Sequence, residues 1–187
     1  MTIPIFSIEC AHPLGLENYR IPDSAFASSS EWDSNHGPTN ARLNRPSGGG
    51  KTGAWSAKRN DRNQWIQVTF PEVTKVTRVG IQGRYDYNQW VTKFKVSYSL
   101  DGIDFVILGK IYNGNSNRNS IVVNDLGAPI QARVVRINPV EWYGHISLRM
   151  ELYGCRSSSG RTIFLLWNLE FDPPSDRYLF IALKPEA

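Results

Sequence analysis

Ile146-Ser-Leu-Arg-Met-Glu-Leu-Tyr-Gly-Cys155 alternates apolar and polar residues from Ile146 to Leu152 and closes on a cysteine. Side chains of a β-strand point alternately to its two faces. Ile146, Leu148, Met150 and Leu152 therefore share one face, and Ser147, Arg149 and Glu151 the other. Similar patterns recur upstream. Ile66, Val68 and Phe70 alternate within Gln64-Trp-Ile-Gln-Val-Thr-Phe70, which stops at Pro71, and Val73 to Gln82 is rich in β-branched residues. Phe94-Lys-Val-Ser-Tyr98 runs into Asp101-Gly102, a hairpin-type turn dipeptide, and then Phe105-Val-Ile-Leu108. Ile121-Val-Val123 and Ala132-Arg-Val-Val-Arg-Ile137 follow. No stretch sustains a capped apolar period of 3.6 residues, so little helix is expected. Many short strands separated by turn signals point to an all-β sandwich or barrel.

Cys155 has one possible partner, Cys10, and the two bracket nearly all the strand-patterned sequence. Two thiols at the ends of one folded unit suggest a clasp, which would place the chain outside the reducing cytosol. Two unrelated buried thiols are the alternative. A clasp closing a loop of on the order of 100 residues or more would contribute roughly 4–5 kcal/mol in the chain-entropy picture. The opening Met1-Thr-Ile-Pro-Ile-Phe-Ser-Ile-Glu-Cys10 has no basic region, and Pro4 breaks its apolar stretch. It does not read as a signal peptide, so an extracellular reading requires the sequence to be a fragment of a longer protein.

The chain has 187 residues, enough for one full core and too few for two comfortable domains. Residues 10–155 form the expected domain, with a lead-in at 1–9 and a tail of unassigned character at 156–187. Arg156-Ser-Ser-Ser-Gly160 resembles a linker, and Ile163 to Trp167 and Tyr178 to Leu183 are possible strands. A net charge of +4 arises from dispersed residues rather than a basic block, which argues against a nucleic-acid partner.

Four polar, irregular stretches interrupt the strands: 28–44, 45–63, 83–89 and 113–119. Loops on a rigid frame usually carry recognition, so candidate site residues are sought there. Trp32, in Ser30-Glu-Trp-Asp-Ser-Asn-His-Gly37, suits an exposed aromatic at a loop tip, able to enter a membrane interface or stack on a sugar. His36 lies on the same loop. Arg84, flanked in Gln82-Gly-Arg-Tyr-Asp-Tyr-Asn-Gln89 by Tyr85 and Tyr87, offers a forked cation with aromatic neighbours. Its structural alternative is a surface pair with Asp86. Lys51 on the Gly48-Gly-Gly50 bend, Asn117 in the Asn-rich stretch and His145 before the closing strand complete the set.

Several motifs together resemble the discoidin domain family (coagulation factor 5/8 type C). They are Cys10-Ala-His-Pro-Leu-Gly-Leu-Glu-Asn-Tyr-Arg-Ile-Pro-Asp-Ser24, Ala27-Ser-Ser-Ser-Glu-Trp32, Ala41-Arg-Leu43, Gly53-Ala-Trp55 and Gln64-Trp-Ile-Gln67. Gln82-Gly-Arg84, Gln89-Trp-Val-Thr-Lys-Phe-Lys-Val-Ser-Tyr-Ser-Leu-Asp-Gly102 and the Tyr-Gly-Cys155 ending continue the series in order. The resemblance implies an eight-stranded jelly-roll β-sandwich, pairing of the terminal cysteines, and ligand-contacting "spike" loops at one end. It also implies that Trp32 is the first-spike aromatic used by phospholipid- and collagen-binding members. Arg84 and His145 fall where collagen-binding members have ligand-supporting residues. Those members carry a second disulfide whose first cysteine follows Gly-Ala-Trp, whereas this chain has Ser56. Collagen specificity therefore does not carry over. The resemblance makes Trp90 a framework residue packed beneath a loop, with Trp55 and Trp65 in or near the core. Trp142 and Tyr143, which precede the closing strand, are expected beside the loops.

Gly50-Lys-Thr52 matches the end of a phosphate-binding loop, but the motif's first glycine would have to be residue 45, which is Arg. The glycines are expected instead to bend the second spike. The three histidines are dispersed and the known catalytic signatures are missing, so neither an enzyme nor a cofactor is expected. The carboxylates are too scattered to suggest a metal site. The expected function is a non-catalytic extracellular adhesion module that binds a cell-surface or matrix protein or glycan through its spikes. A peripheral module for phosphatidylserine-containing membranes is the alternative, with Glu31 and Asp33 beside Trp32 weighing against it. A galactose-type lectin is a further one.

Overall fold

The structure is a computed structural model and describes residues 10–156. The expected lead-in at 1–9 and the two possible tail strands lie outside the described residues. Among the described residues, nine strands alternate with loops and two single-turn 3₁₀ helices, Asp23–Ala25 and Pro38–Asn40. The strands are β1 (His12–Pro13), β2 (Phe26–Ser28), β3 (Trp55–Ser56), β4 (Ile66–Gln82), β5 (Trp90–Ser99), β6 (Val106–Ile107), β7 (Tyr112–Asn113), β8 (Val122–Tyr143) and β9 (Ser147–Arg156). Most of the short ones have only two residues, so the difference from eight strands lies in these fragments rather than in the architecture.

The sheet runs β1-β9-β4-β8-β5-β6, with β2 beside β4, β3 beside β9 and β7 beside β5, and every pairing between strands is antiparallel. Two expected pairs of strands are each a single bent one. The run to Phe70 does not end at Pro71: β4 continues through a register break between Thr69 and Thr74. Proline lacks the N–H a ladder needs, so it sits at the corner and bends the strand instead of stopping it. Likewise Val122 and Val123, from the expected run at 121–123, join Ala132–Ile137 in β8 across Gly127-Ala128-Pro129. β8 also takes up Trp142 and Tyr143, which sequence placed among loops. Because β4 and β8 fold back at these corners, the ladder curls into two layers around one core. Ile66, Val68, Val79, Ile81, Val96, Val135 and Ile137 are buried between them.

The closing strand shows what the curl adds. Ile146, Leu148, Met150 and Leu152 are fully buried, as alternation implies, each contributing about 1.5–3 kcal/mol of burial. The opposite face, Ser147, Arg149 and Glu151, is buried as well, because loops lie across it. Glu151 accepts backbone N–H groups from Gly15, Leu16 and Glu17 at 3.2, 3.2 and 2.9 Å, and so anchors the first loop. β9 runs on through Arg156, which was expected to open the linker-like stretch. Cys10 and Cys155 form a disulfide, Cα–Cα 5.0 Å, spanning 145 residues.

Candidate functional site

The loops at one end of the sandwich are held by hydrogen bonds from the strands beneath. Gly48, Gly49 and Gly50 all have positive φ, and Gly48 and Lys51 exchange two backbone bonds at 3.0 Å. That tight turn needs the left-handed conformations that glycine tolerates. The following residues enter β3 rather than a helix, so the phosphate-loop reading fails on geometry too. Lys51 Nζ donates to the Ser34 carbonyl at 2.6 Å and so ties this turn to the loop bearing Trp32.

Arg149 is the central fastener, with the residue only 1% exposed. Its guanidinium donates to the carbonyls of Gly83 at 2.7 Å, Arg45 at 3.0 Å and Arg118 at 3.1 Å, one on each of three loops. Burial pulls its pKa down to about 10, which leaves it charged at neutral pH.

Above this base, Trp32, His36, Ser56, Arg84, Gln89 and His145 line a cleft of about 90 Å³. Trp32 is 57% exposed, and its ring stands edge-on to His145, centroids 5.3 Å apart. The partners of both histidines can only accept, so the ring nitrogen facing each of them is the donor. His145 Nε2 donates to the Ala57 carbonyl at 2.7 Å, and His36 Nδ1 donates to Asp33 Oδ1 at 2.6 Å. The His36 hydrogen bond, followed by that from the Asn35 N–H, holds the Asp33 carboxyl below its ordinary pKa.

Arg84 both lines the cleft and makes the pair that was its structural alternative. Its Nε and Nη2 grip the two Asp86 oxygens at 2.9 and 3.0 Å, and Nη1 donates to Gln89 Oε1 at 3.1 Å. The side chain is 13% exposed. Hydrogen bonding to Arg84, reinforced by the Gly53 N–H, brings the Asp86 pKa down to about 2. A polar chain continues inward: Ser147 Oγ donates to Gln89 Oε1 at 3.1 Å, and the Ser56 and Ser147 hydroxyls meet at 2.7 Å. Ser56 thus spends its side chain bridging β3 to β9.

Of the residues nominated from sequence, Trp32, His36, Arg84 and His145 come together in the cleft. Tyr85 and Tyr87 are 47% and 61% exposed on the Arg84 loop and outside the cleft lining. Asn117 folds its own loop, accepting the Asn119 and Ser120 N–H groups at 2.8 Å. Trp90 stacks on Tyr143 at 4.3 Å, Trp55 is fully buried, and Arg136 covers the Trp65 ring at 4.1 Å. Sequence reading missed Ser56, Gln89, Ser147 and Arg149 as supports. For Ser147 and Arg149 the available signal was a polar residue on the outer face of β9, whose burial no local pattern discloses.

A family model described as F5/8 type C domain matches residues 25–152. Lactadherin of Rattus norvegicus is 36% identical over 156 residues, covering 78% of this chain and 36% of that protein. The chain thus spans about a third of the length of that relative. Discoidin II of Dictyostelium discoideum superposes with a TM-score of 0.66 at 37% identity, over 72% of this chain and 56% of that one. The galactose complex of the family 32 module from C. perfringens NanJ superposes at 0.56 with 18% identity, over 71% of this chain and 96% of that one, a likeness of fold alone.

Proposed function

The chain belongs to the F5/8 type C (discoidin) domain family, and on that footing we propose that it is a non-catalytic extracellular module that holds an uncharged glycan in the spike-loop cleft. Residues 10–155 are the recognition domain in this reading. The disulfide supports an extracellular location, since such bridges persist in oxidising compartments.

One observation carries the choice of ligand: the guanidinium lining the cleft already has its own carboxylate. Arg84 is matched by Asp86, and the His36 imidazole is hydrogen-bonded to Asp33, so no unmatched guanidinium or ammonium faces the cleft. An exposed indole beside forked donors and imidazole nitrogens suits a sugar, whose apolar face stacks while its hydroxyls exchange hydrogen bonds. Galactose-type sugars are the natural first probes. The same pairing is a poor match for an anionic headgroup, and Glu31 and Asp33 flank Trp32 with negative charge. The membrane reading draws its support from exposed Trp32, Tyr85 and Tyr87, which resemble an interfacial anchor.

A glycan array followed by calorimetry tests the proposal. Neutral glycans should bind, and Trp32→Ala should weaken them by about tenfold or more while the melting temperature is unchanged. Sedimentation with phosphatidylserine vesicles in place of any glycan binding would establish the membrane reading instead. Unfolding of Trp32→Ala would show that Trp32 belongs to the structure and not the ligand site.

A further inference from the structure

The end of the sandwich opposite the spikes carries a second cleft, larger than the first at about 300 Å³. It opens at the β4 corner, where Phe70 and Pro71 meet the loop carrying Ile21 and Pro22. An adjoining hollow shares Ile21, Phe70, Pro71 and Arg156 and extends the groove toward Leu14. Register fixes its location. Thr74 pairs with Arg156 on one side and Ala132 on the other, at the far end of β9 from the Ser147–Gln89 contact under the spike cleft.

Three arginines, Arg20, Arg133 and Arg156, rim the groove. The neighbouring carboxylates neutralise only Arg156. Asp23 is bonded to Arg42, and Glu72 pairs with Arg156 at 3.7 Å. Arg20 and Arg133 have no carboxylate partner among the described residues. The result is an apolar trough with two uncompensated guanidinium groups, unlike the spike cleft.

We propose that this groove docks an acidic peptide segment of a partner protein, with an apolar side chain on the Ile21–Phe70–Pro71 floor and flanking carboxylates on Arg20 and Arg133. Charge complementarity requires the anion, and guanidinium forks match carboxylate geometry. The apolar floor separates the candidates. A sulfated glycan spaces anions along its whole length and has no side chain that can enter the trough over Ile21, Pro22 and Pro71, so it uses the apolar floor less fully than a peptide does. A bilayer is met by protruding aromatics, whereas this site is concave. Ligands at opposite ends would let one domain bridge a surface glycan and a protein partner.

The test is fluorescence anisotropy on the full chain at low and moderate salt. The probe is a labelled hexapeptide with leucine and phenylalanine between two pairs of acidic residues. Saturable binding that weakens with salt is expected, as is a loss of about tenfold in Arg133→Glu and again in Arg20→Glu. Replacing leucine and phenylalanine by serine should also weaken it severalfold. Trp32→Ala should leave peptide binding unchanged, which keeps this result separate from the glycan reading. Should a charge reversal disturb folding, Arg133→Ala with an unchanged melting temperature serves in its place. No saturable binding overturns the proposal, as does indifference to both arginines. So does tighter, arginine-dependent binding of a heparin-derived hexasaccharide or of phosphatidylserine vesicles.

Discussion

Replacing Arg149 by methionine keeps most of the side-chain volume and removes the charge that fastens three loops. The carbonyls of Gly83, Arg45 and Arg118 lose donors at 2.7, 3.0 and 3.1 Å. Gly83 is buried, whereas Arg45 and Arg118 are half-buried, so water can replace part of what the second and third lose. A hydrogen bond to a charged group contributes about 1.5–3 kcal/mol, and a buried group left unsatisfied costs about 1–3 kcal/mol. Counting one full loss and two partial ones, the variant should be about 3–5 kcal/mol less stable, a large share of a domain's total. For a domain of this size that lowers the melting temperature by about 10–15 °C. Urea unfolding measures the free energy, and hydrogen exchange at Arg84 and Asn119 reports whether the loops loosen before the core does. Arg149→Lys should fall between, since one ammonium cannot reach three divergent carbonyls. A methionine variant within about 1 kcal/mol of the parent, with unchanged loop exchange, would refute the fastening role.

Removing the disulfide with Cys10→Ala and Cys155→Ala frees a loop spanning 145 residues and should cost about 5 kcal/mol, read by urea unfolding under non-reducing conditions. The Asp86 carboxyl, pulled from 3.8 to about 2 mainly by Arg84, supplies stability that is complete above pH 4 and lost as pH falls through about 2. Its partial exposure holds this to on the order of 1 kcal/mol. Asp86→Asn should flatten that acid limb in an unfolding titration, and an unchanged limb would discount the pair. Gly53 packs against Tyr85 so closely that an added Cβ would sit 2.3 Å from the tyrosine Cβ. Gly53→Ala should therefore shift the Arg84 loop and weaken glycan binding more than it lowers the melting temperature.

Alternation in Ile146–Leu152, Ile66–Phe70 and Phe94–Tyr98 disclosed the strands and their core faces, because the two-residue period of a strand is a local property of the chain. The order of motifs between Cys10 and Cys155 disclosed the family and the bridge. Trp32, His36, Arg84 and His145 were legible singly, as unusual residues in polar loops. Other features had no local signature. β4 turns a corner at Pro71, Arg149 and Glu151 are buried on the outer face of their strand, and Lys51 and Asn117 are spent on loop structure. Sequence alone determined the principal strand segments and the apolar face that each turns to the core. Only the tertiary structure decided that the cleft assembles from distant loops and that its Arg84 is neutralised in place, while Arg20 and Arg133 at the opposite end are not. The physical reason is that strand faces follow from neighbouring residues, whereas loop convergence and charge pairing depend on the curl and register of a sheet built from long-range contacts.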